Sequence, residues 1–331
     1  MRSARATAKA LAPGVLVSGT ISLAATFLSD HYGGPVMLFA LLLGMAFNFL
    51  SQEGRCVEGV GFTSRTVLRI GVALLGVRIT VEGAVALGIA PILVAVAGVS
   101  LTLVFGGWLA RRMGFSRDFG ILTGGAVGIC GASAALAIAS VLPKGERGIT
   151  ERDTIFTVLG VTTLSTIAMV VYPLAVGALG LDDRIAGIFL GATIHDVAQV
   201  VGAGYSVSAE AGDTATLTKL LRVAMLVPVV LAITLVLFRG SGQSAKRPPF
   251  PLFLAVFVAL VGANSLGWIA EPLRLVLIDV SRWALVAAIA ALGIRTSLKD
   301  LASVGLRALV LLVAETAWIA GLAVAVLAIS P

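Results

Sequence analysis

Eleven apolar runs, most of them long enough to cross a bilayer, recur from one end of this chain to the other. They cover approximately residues 11–29, 35–50, 65–81, 86–110, 118–142, 153–178, 184–203, 214–238, 249–268, 275–294 and 305–330. A helix rises 1.5 Å per residue, so a hydrocarbon core of about 30 Å takes ~17–25 apolar residues. Only 12% of the chain is charged and its mean hydropathy is +1.05, against roughly 25% charged in soluble domains. A soluble domain with one anchor is excluded. The expected fold is an all-α polytopic membrane protein of about 10–11 transmembrane helices, with 1–331 as a single integral membrane domain.

The net charge of +7 is explained by Lys and Arg collecting in cytoplasmic loops, and no nucleic-acid partner is expected. Two cysteines, Cys56 and Cys130, make neither a disulfide framework nor a metal site. Arg2, Arg5 and Lys9 before an apolar run imitate a secretory signal. In a chain this apolar throughout, residues 1–30 read instead as an extra first helix. With the N-terminus inside, Arg2, Arg5, Lys9, Arg55, Arg65, Arg111, Arg112, Arg117, Arg184, Arg239, Lys246, Arg247, Arg295, Lys299 and Arg307 fall on the cytoplasmic side. Arg78, Lys144, Arg147, Arg152 and Arg274 fall outside. That asymmetry predicts a cytoplasmic N-terminus and an outer C-terminus. The loop KGERGITERD (144–153) is the misfit, and a re-entrant fifth segment would change the count after it.

The segment ALLGVRITVEGAVALG (73–88) matches AALGIRTSLKDLASVG (290–305) at a constant offset of 217. Ala73, Leu75, Gly76, Arg78 and Gly88 pair with Ala290, Leu292, Gly293, Arg295 and Gly305, and Ser64-Arg65 pairs with Ser281-Arg282. The copies are spans three and ten, an odd separation that means opposite orientation. Such inverted repeats, here about 35–178 and 184–331, build many secondary transporters, whose sites lie near the midplane on discontinuous helices.

The fifth segment supplies a candidate break. Gly124, Gly125, Gly128 and Gly131 cluster around Cys130 and Ser133, and each Gly costs roughly 1 kcal/mol against Ala in a helix interior. Unwinding is predicted at Gly128–Gly131. A half-helix restarting near Ala132 would expose free N–H groups and a positive dipole end to an anion.

GICGASA in the fifth segment, STIAMVVYPL (165–174), IHDVAQVVGAG (194–204) and TLTKLLRVAMLVPVVL (216–231) resemble the YeiH family of bacterial inner-membrane proteins, labelled as sulfate exporters and largely uncharacterised. The resemblance runs from about residue 35 to the C-terminus, with IHDVAQV its most specific part. More distantly, the family is similar to bile acid:sodium symporters and cation:proton antiporters. It implies inverted repeats with unwound helices crossing near the membrane centre, and sulfate or an organosulfonate as cargo, with export as its direction.

Polar residues inside the spans are the candidate site, because intramembrane ionisable groups are costly and default to function. In the seventh segment a helical face could present His195 with Gln199, or Asp196 with Gln199. Asp196 reads as a proton or cation carrier, His195 as a second titrating group, and Thr193 and Gln199 as hydrogen-bonders to substrate. A structural polar network joining helices is the alternative. Lys219 and Arg222 lie at i,i+3, with Arg222 roughly 12 Å inside the eighth span. Either could neutralise Asp196 or meet the anion. Glu315, mid-span with no base near it in sequence, is a coupling-proton site or half of an interhelical pair. Arg78 and Arg295 sit at helix ends, where they cap carbonyls or meet headgroups. His31 reads as a solvated loop residue.

These readings converge on a secondary transporter moving a small anion across the inner membrane by alternating access. Gly128, Cys130, Gly131, Ala132, Ser133, Thr193, His195, Asp196, Gln199, Lys219 and Arg222 are the substrate-binding candidates. Asp196 and Glu315 are the coupling candidates, with H+ or Na+ as the coupled ion. No cofactor, metal or catalytic constellation is expected, and a homodimer is compatible with the reading. The alternative is a passive anion channel.

Overall fold

The computed structural model describes residues 4–32, 35–143, 145, 148–237, 252–296 and 306–329. Arg2, Lys144, Arg147, Arg239, Lys246, Arg247, Lys299 and Gly305, which enter the charge and repeat readings above, lie outside the described residues, as does the polar connection 239–248. The described elements are all helices, as every backbone group in hydrocarbon needs an internal partner. They are α1 (Ala4–Tyr32), α2 (Val36–Ala46), α3 (Val57–Phe62), α4 (Leu68–Leu74), α5 (Val81–Ala86), α6 (Ala90–Arg112), α7 (Arg117–Gly128), α8 (Ala132–Ala139), α9 (Glu151–Ala178), α10 (Asp183–Thr193), α11 (Val197–Val207), α12 (Ala209–Ala224), α13 (Leu226–Leu237), α14 (Leu252–Ser265), α15 (Glu271–Arg295) and α16 (Leu306–Ile329).

Seven helical stretches among the described residues are long and apolar enough to cross a membrane: Thr7–Tyr32, Val57–Val77, Ala90–Arg112, Glu151–Ala178, Ala209–Val236, Glu271–Arg295 and Leu306–Ile329. The other four apolar runs are carried by the short α2 and α14 and by two interrupted pairs, α7–α8 and α10–α11. The chain is therefore a multi-pass membrane protein. His31 belongs to the last turn of α1, where its ring stacks on Phe27 at 5.5 Å. It is not a loop residue.

The chain forms two compact units. One comprises α1–α5, Val201–Asp213, α14 and α15. Its helices approach closely at glycines that the offset repeat pairs. A Cβ on Gly293 of α15 would strike the Leu41 carbonyl of α2, and one on Gly76 would strike the Phe257 carbonyl of α14. The offset that aligns Gly76 with Gly293 also carries α2 onto α14. The two stretches that match at this offset touch directly: Ser281 Oγ donates to the Gly71 carbonyl at 2.7 Å, and Arg295 Nη1 donates to Ser64 Oγ at 3.1 Å. Arg78 meets side chains of its own unit. Its Nε lies 3.1 Å from Asp213 Oδ1, its guanidinium covers the Tyr205 ring at 5.2 Å, and the Tyr205 hydroxyl donates to Asp213.

The other unit comprises α6–α10, the chain on to Val200, Thr214 through α13, and α16. It starts its helices with ordinary caps. Ser116 and Asp182 accept the Phe119 and Ile185 N–H groups at 3.1 and 2.9 Å, and Thr150 and Asp153 form a capping box at the start of α9. Small residues bring α6 and α7 together: a Cβ on Gly120 would strike the Gly106 carbonyl, and one on Gly124 would stand 2.7 Å from the Thr102 carbonyl.

Candidate functional site: two helix breaks capped by buried cations

Both breaks lie within the second unit. The first is where the glycine cluster predicts it. Helix α7 stops at Gly128, and α8 restarts at Ala132 from Gly131 with φ 65° and ψ −128°. The second was not legible from its flanking glycines. Helix α10 ends at Thr193, Ile194 takes an extended conformation (φ −70°, ψ 135°), and α11 begins at Val197. His195 and Asp196 thus sit in unwound chain. The helical-face pairing expected for them with Gln199 does not apply.

Helix α9 holds the second break open. The Ser165 hydroxyl accepts the N–H groups of both His195 (3.2 Å) and Asp196 (3.0 Å), which would otherwise continue α10. One turn further, Gln199 Nε2 donates to Thr166 Oγ1 at 2.8 Å. Ser165 and Thr166 open the STIAMVVYPL stretch, so that stretch and IHDVAQV pack as one structure.

Breaking two helices strands the last carbonyls of α7 and α10, since a helix leaves its final four C=O groups unpaired. Lys219 and Arg222, side by side on α12 and fully buried, supply the partners. Arg222 Nε donates to Gly128 O at 2.8 Å and Nη2 to Val127 O at 2.6 Å. Its Nη1 donates to the carbonyls of Gly191, Ala192 and Ile194. Lys219 Nζ bridges the two breaks, donating to Ile129 O at 2.7 Å and Ile194 O at 3.0 Å. Where the sequence suggested an anion or Asp196 as their partner, the bonds run to backbone carbonyls. The reason is the helix dipole: a C-terminus carries about half a negative charge, and cations are favoured there. Arg222 is also deeper than expected, because α12 starts at Ala209 and places it about 20 Å along the helix.

The two restarting N-termini differ. Asp196 Oδ1 accepts the Ala198 N–H at 2.8 Å, so a carboxylate already sits at the head of α11. Gly131 has no side chain to cap α8, Ala132 is half-buried and Ser133 is exposed. Cys130 is buried. Thr193 Oγ1 donates back to Phe189 O at 2.7 Å within α10.

Adjacent residues on α16 reach both broken pairs. Glu315, fully buried, accepts the Thr123 hydroxyl of α7 on Oε1 at 2.8 Å, and its Oε2 has no partner among the described residues. Thr316 Oγ1 lies 3.0 Å from His195 Nε2 at the second break. The site therefore gathers Gly128, Cys130, Gly131 and Ala132 at one break, Thr193, His195 and Asp196 at the other, Lys219 and Arg222 on both, and Glu315 one helix away. Ser165, Thr166, Thr123 and Thr316 were not singled out from the sequence. Hydroxyls are common in membrane helices, and only their tertiary partners mark these four.

Fold and site together define an α-helical, multi-pass membrane protein with two interrupted helices in one of its units. The chain belongs to the family described as conserved hypothetical protein 698, whose model matches residues 13–312. A UPF0324 membrane protein of Chlorobaculum tepidum is 56% identical, over 93% of this chain and 87% of its own length. One of Rhizobium meliloti is 53% identical over 93% and 90%. A UPF0324 membrane protein named TauZ, of Paracoccus pantotrophus, is 54% identical over 93% and 92%.

Proposed function

We propose that this protein is a secondary transporter of a small oxyanion, with sulfonates and sulfate as the substrate class, and that the anion docks at the head of α8. The observation that carries the reading is the inequality of the four helix ends at the breaks. Both C-termini are neutralised by Lys219 and Arg222, and the α11 N-terminus carries Asp196. At the α8 N-terminus Gly131 supplies no side chain, and the first turn meets only the Cys130 sulfur, at the Ala134 N–H. The remaining N–H groups of that turn and its positive dipole end favour an anion. Two Paracoccus relatives bear the taurine-related name TauZ, which supports placing organosulfonates in the panel below. Inner-membrane residence and alternating access belong to the same proposal. Glu315 is the coupling group in this reading, because its second oxygen is open to a proton and its neighbour Thr316 bonds the His195 ring.

The test is thermal stabilisation of the purified protein by sulfate, sulfite, taurine, other sulfonates, bicarbonate and carboxylates at two pH values. A ligand at a hundred times its Kd stabilises by about 2.7 kcal/mol. Ser133→Asp places the protein's own carboxylate in the first turn of α8, where it suits the dipole, so this variant should fold normally and lose the anion response. Glu315→Gln should keep the response and lose its dependence on pH. A response only to sodium or to neutral solutes, or one unaffected by Ser133→Asp, would reject the site.

A further inference from the structure

We propose that the α6–α7–α13 groove of the second unit is a binding site for an anionic phospholipid, with the phosphate held by Arg111, Arg112 and Arg117. The groove encloses about 750 Å³, within the range of about 300–1,000 Å³ typical of small-molecule sites. Its walls are polarised along the helix axis. Leu103, Val104, Ile121 and Ile233 make an apolar length, and the three arginines close one end. Leu103 and Arg111 are eight residues apart on α6, about 12 Å.

That polarity fits one chemistry. Arg111 and Arg112 are the last two residues of a helix long and apolar enough to span a bilayer, which puts them at the depth of the headgroups. All three arginines are exposed. Among the described residues none of them makes an ion pair or a hydrogen bond. Arg112 lies over the Trp108 ring at 5.4 Å. Trp108 and Val104 turn 51% and 70% of their surface outward beside the basic end, and Trp favours the interface. A free phosphate would use the arginines and leave the apolar length bare, whereas a phospholipid fills both. Basic pockets between membrane helices bind lipid headgroups in this way.

Gly107 makes the groove. A Cβ there would meet only Arg117 Cγ at 3.8 Å and Ile121 Cγ1 at 3.9 Å, ordinary contact distances. A larger side chain would grow into the space the acyl chain takes. The groove can therefore be filled from Gly107, between the arginines and the apolar length, without removing any arginine.

The experiment titrates the purified full-length protein, in neutral detergent, with phosphatidylglycerol, with phosphatidylcholine and with inorganic phosphate, and reads the melting temperature. Phosphatidylglycerol is expected to raise it, with the other two having little effect. Arg111→Gln, Arg112→Gln and Arg117→Gln should each weaken the apparent affinity about fivefold. Gly107→Leu should weaken it as well, while melting in phosphatidylcholine as the parent does. Equal responses to the two lipids would show an ordinary lipid annulus and overturn the proposal. An equal response to phosphate alone, or one that survives the triple arginine variant, would overturn it too. Retention of the phosphatidylglycerol response in Gly107→Leu would remove the acyl-chain part and sink the groove as its site.

Discussion

At the scale of single residues, Arg222 separates two roles that a buried cation in a membrane helix can play. If it contacted substrate, Arg222→Met would abolish binding and leave the fold intact. The geometry gives the opposite. Four carbonyls, those of Val127, Gly128, Gly191 and Ala192, lose their donor together, while Ile194 keeps Lys219, and an unpaired buried carbonyl costs about 1–3 kcal/mol. Arg222→Met is therefore expected to lose more than about 4 kcal/mol, seen as collapse of the purified yield and of the melting transition. Arg222→Lys should fall between, because three donors on a point charge cannot reproduce the planar fork. Lys219→Met strands only the Ile129 carbonyl, since Ile194 keeps Arg222 Nη1, and should cost about 1–3 kcal/mol. A normal melting curve for Arg222→Met would refute the capping role. The depth of Arg222 was legible in the sequence; the full burial of Lys219 and the partners of both were not. Backbone carbonyls leave no signature in a side-chain alphabet, so an anion or Asp196 was the natural guess. The Arg78–Asp213–Tyr205 cluster was hidden for a related reason: its members are far apart in the chain and are joined only by folding.

At the scale of elements, the two breaks show how far local sequence reaches. Four glycines in eight residues made the α7–α8 break readable, because helix propensity is a local quantity. The α10–α11 break has no such mark. It exists because Ser165, on another helix, takes the two N–H groups that would have extended α10. Within the first break the glycines are unequal. Gly131 has φ 65° with ψ −128°, outside the left-handed helical region that Asn tolerates. The nearest atoms to an added Cβ are 3.6 Å away on His195, so the penalty for Gly131→Ala is conformational, about 1–3 kcal/mol. Gly131→Asn should bring no relief. Gly191→Ala should be at least as damaging for a different reason, since its Cβ would strike the Ala215 carbonyl and stand 2.8 Å from Thr218 Cβ. Melting temperatures of the three variants check this, and a Gly131→Asn protein as stable as the parent would contradict the backbone argument.

At the scale of the whole molecule, the remaining question is how the chain crosses the bilayer, and the broken helices decide it. Among the described residues each apolar run of the sequence is built of helices, two of the runs interrupted, but length alone does not say whether α7–α8 crosses or turns back. The turns at Gly114, before α7, and at Gly180, after α9, bracket the segment. Both glycines have left-handed backbones, with φ 84° and 63°, and both turns are exposed places where an insertion is tolerated. If α7–α8 traverses the membrane, it and α9 make two crossings, and Gly114 and Gly180 lie on the same face. A re-entrant α7–α8 leaves one crossing and puts them on opposite faces. The arginine-rich flanks Arg111, Arg112, Arg117 and Arg184 favour the cytoplasm for both turns. Alkaline phosphatase, active only outside, should therefore be silent when fused after Gly114 or after Gly180. It should be active after Gly267, in the turn following α14, and after Pro331. Activity at Gly180 with silence at Gly114 would make α7–α8 re-entrant. It would also move Lys144, Arg147 and Arg152 to the inner face, and the loop that breaks the charge rule in an eleven-span topology would then obey it.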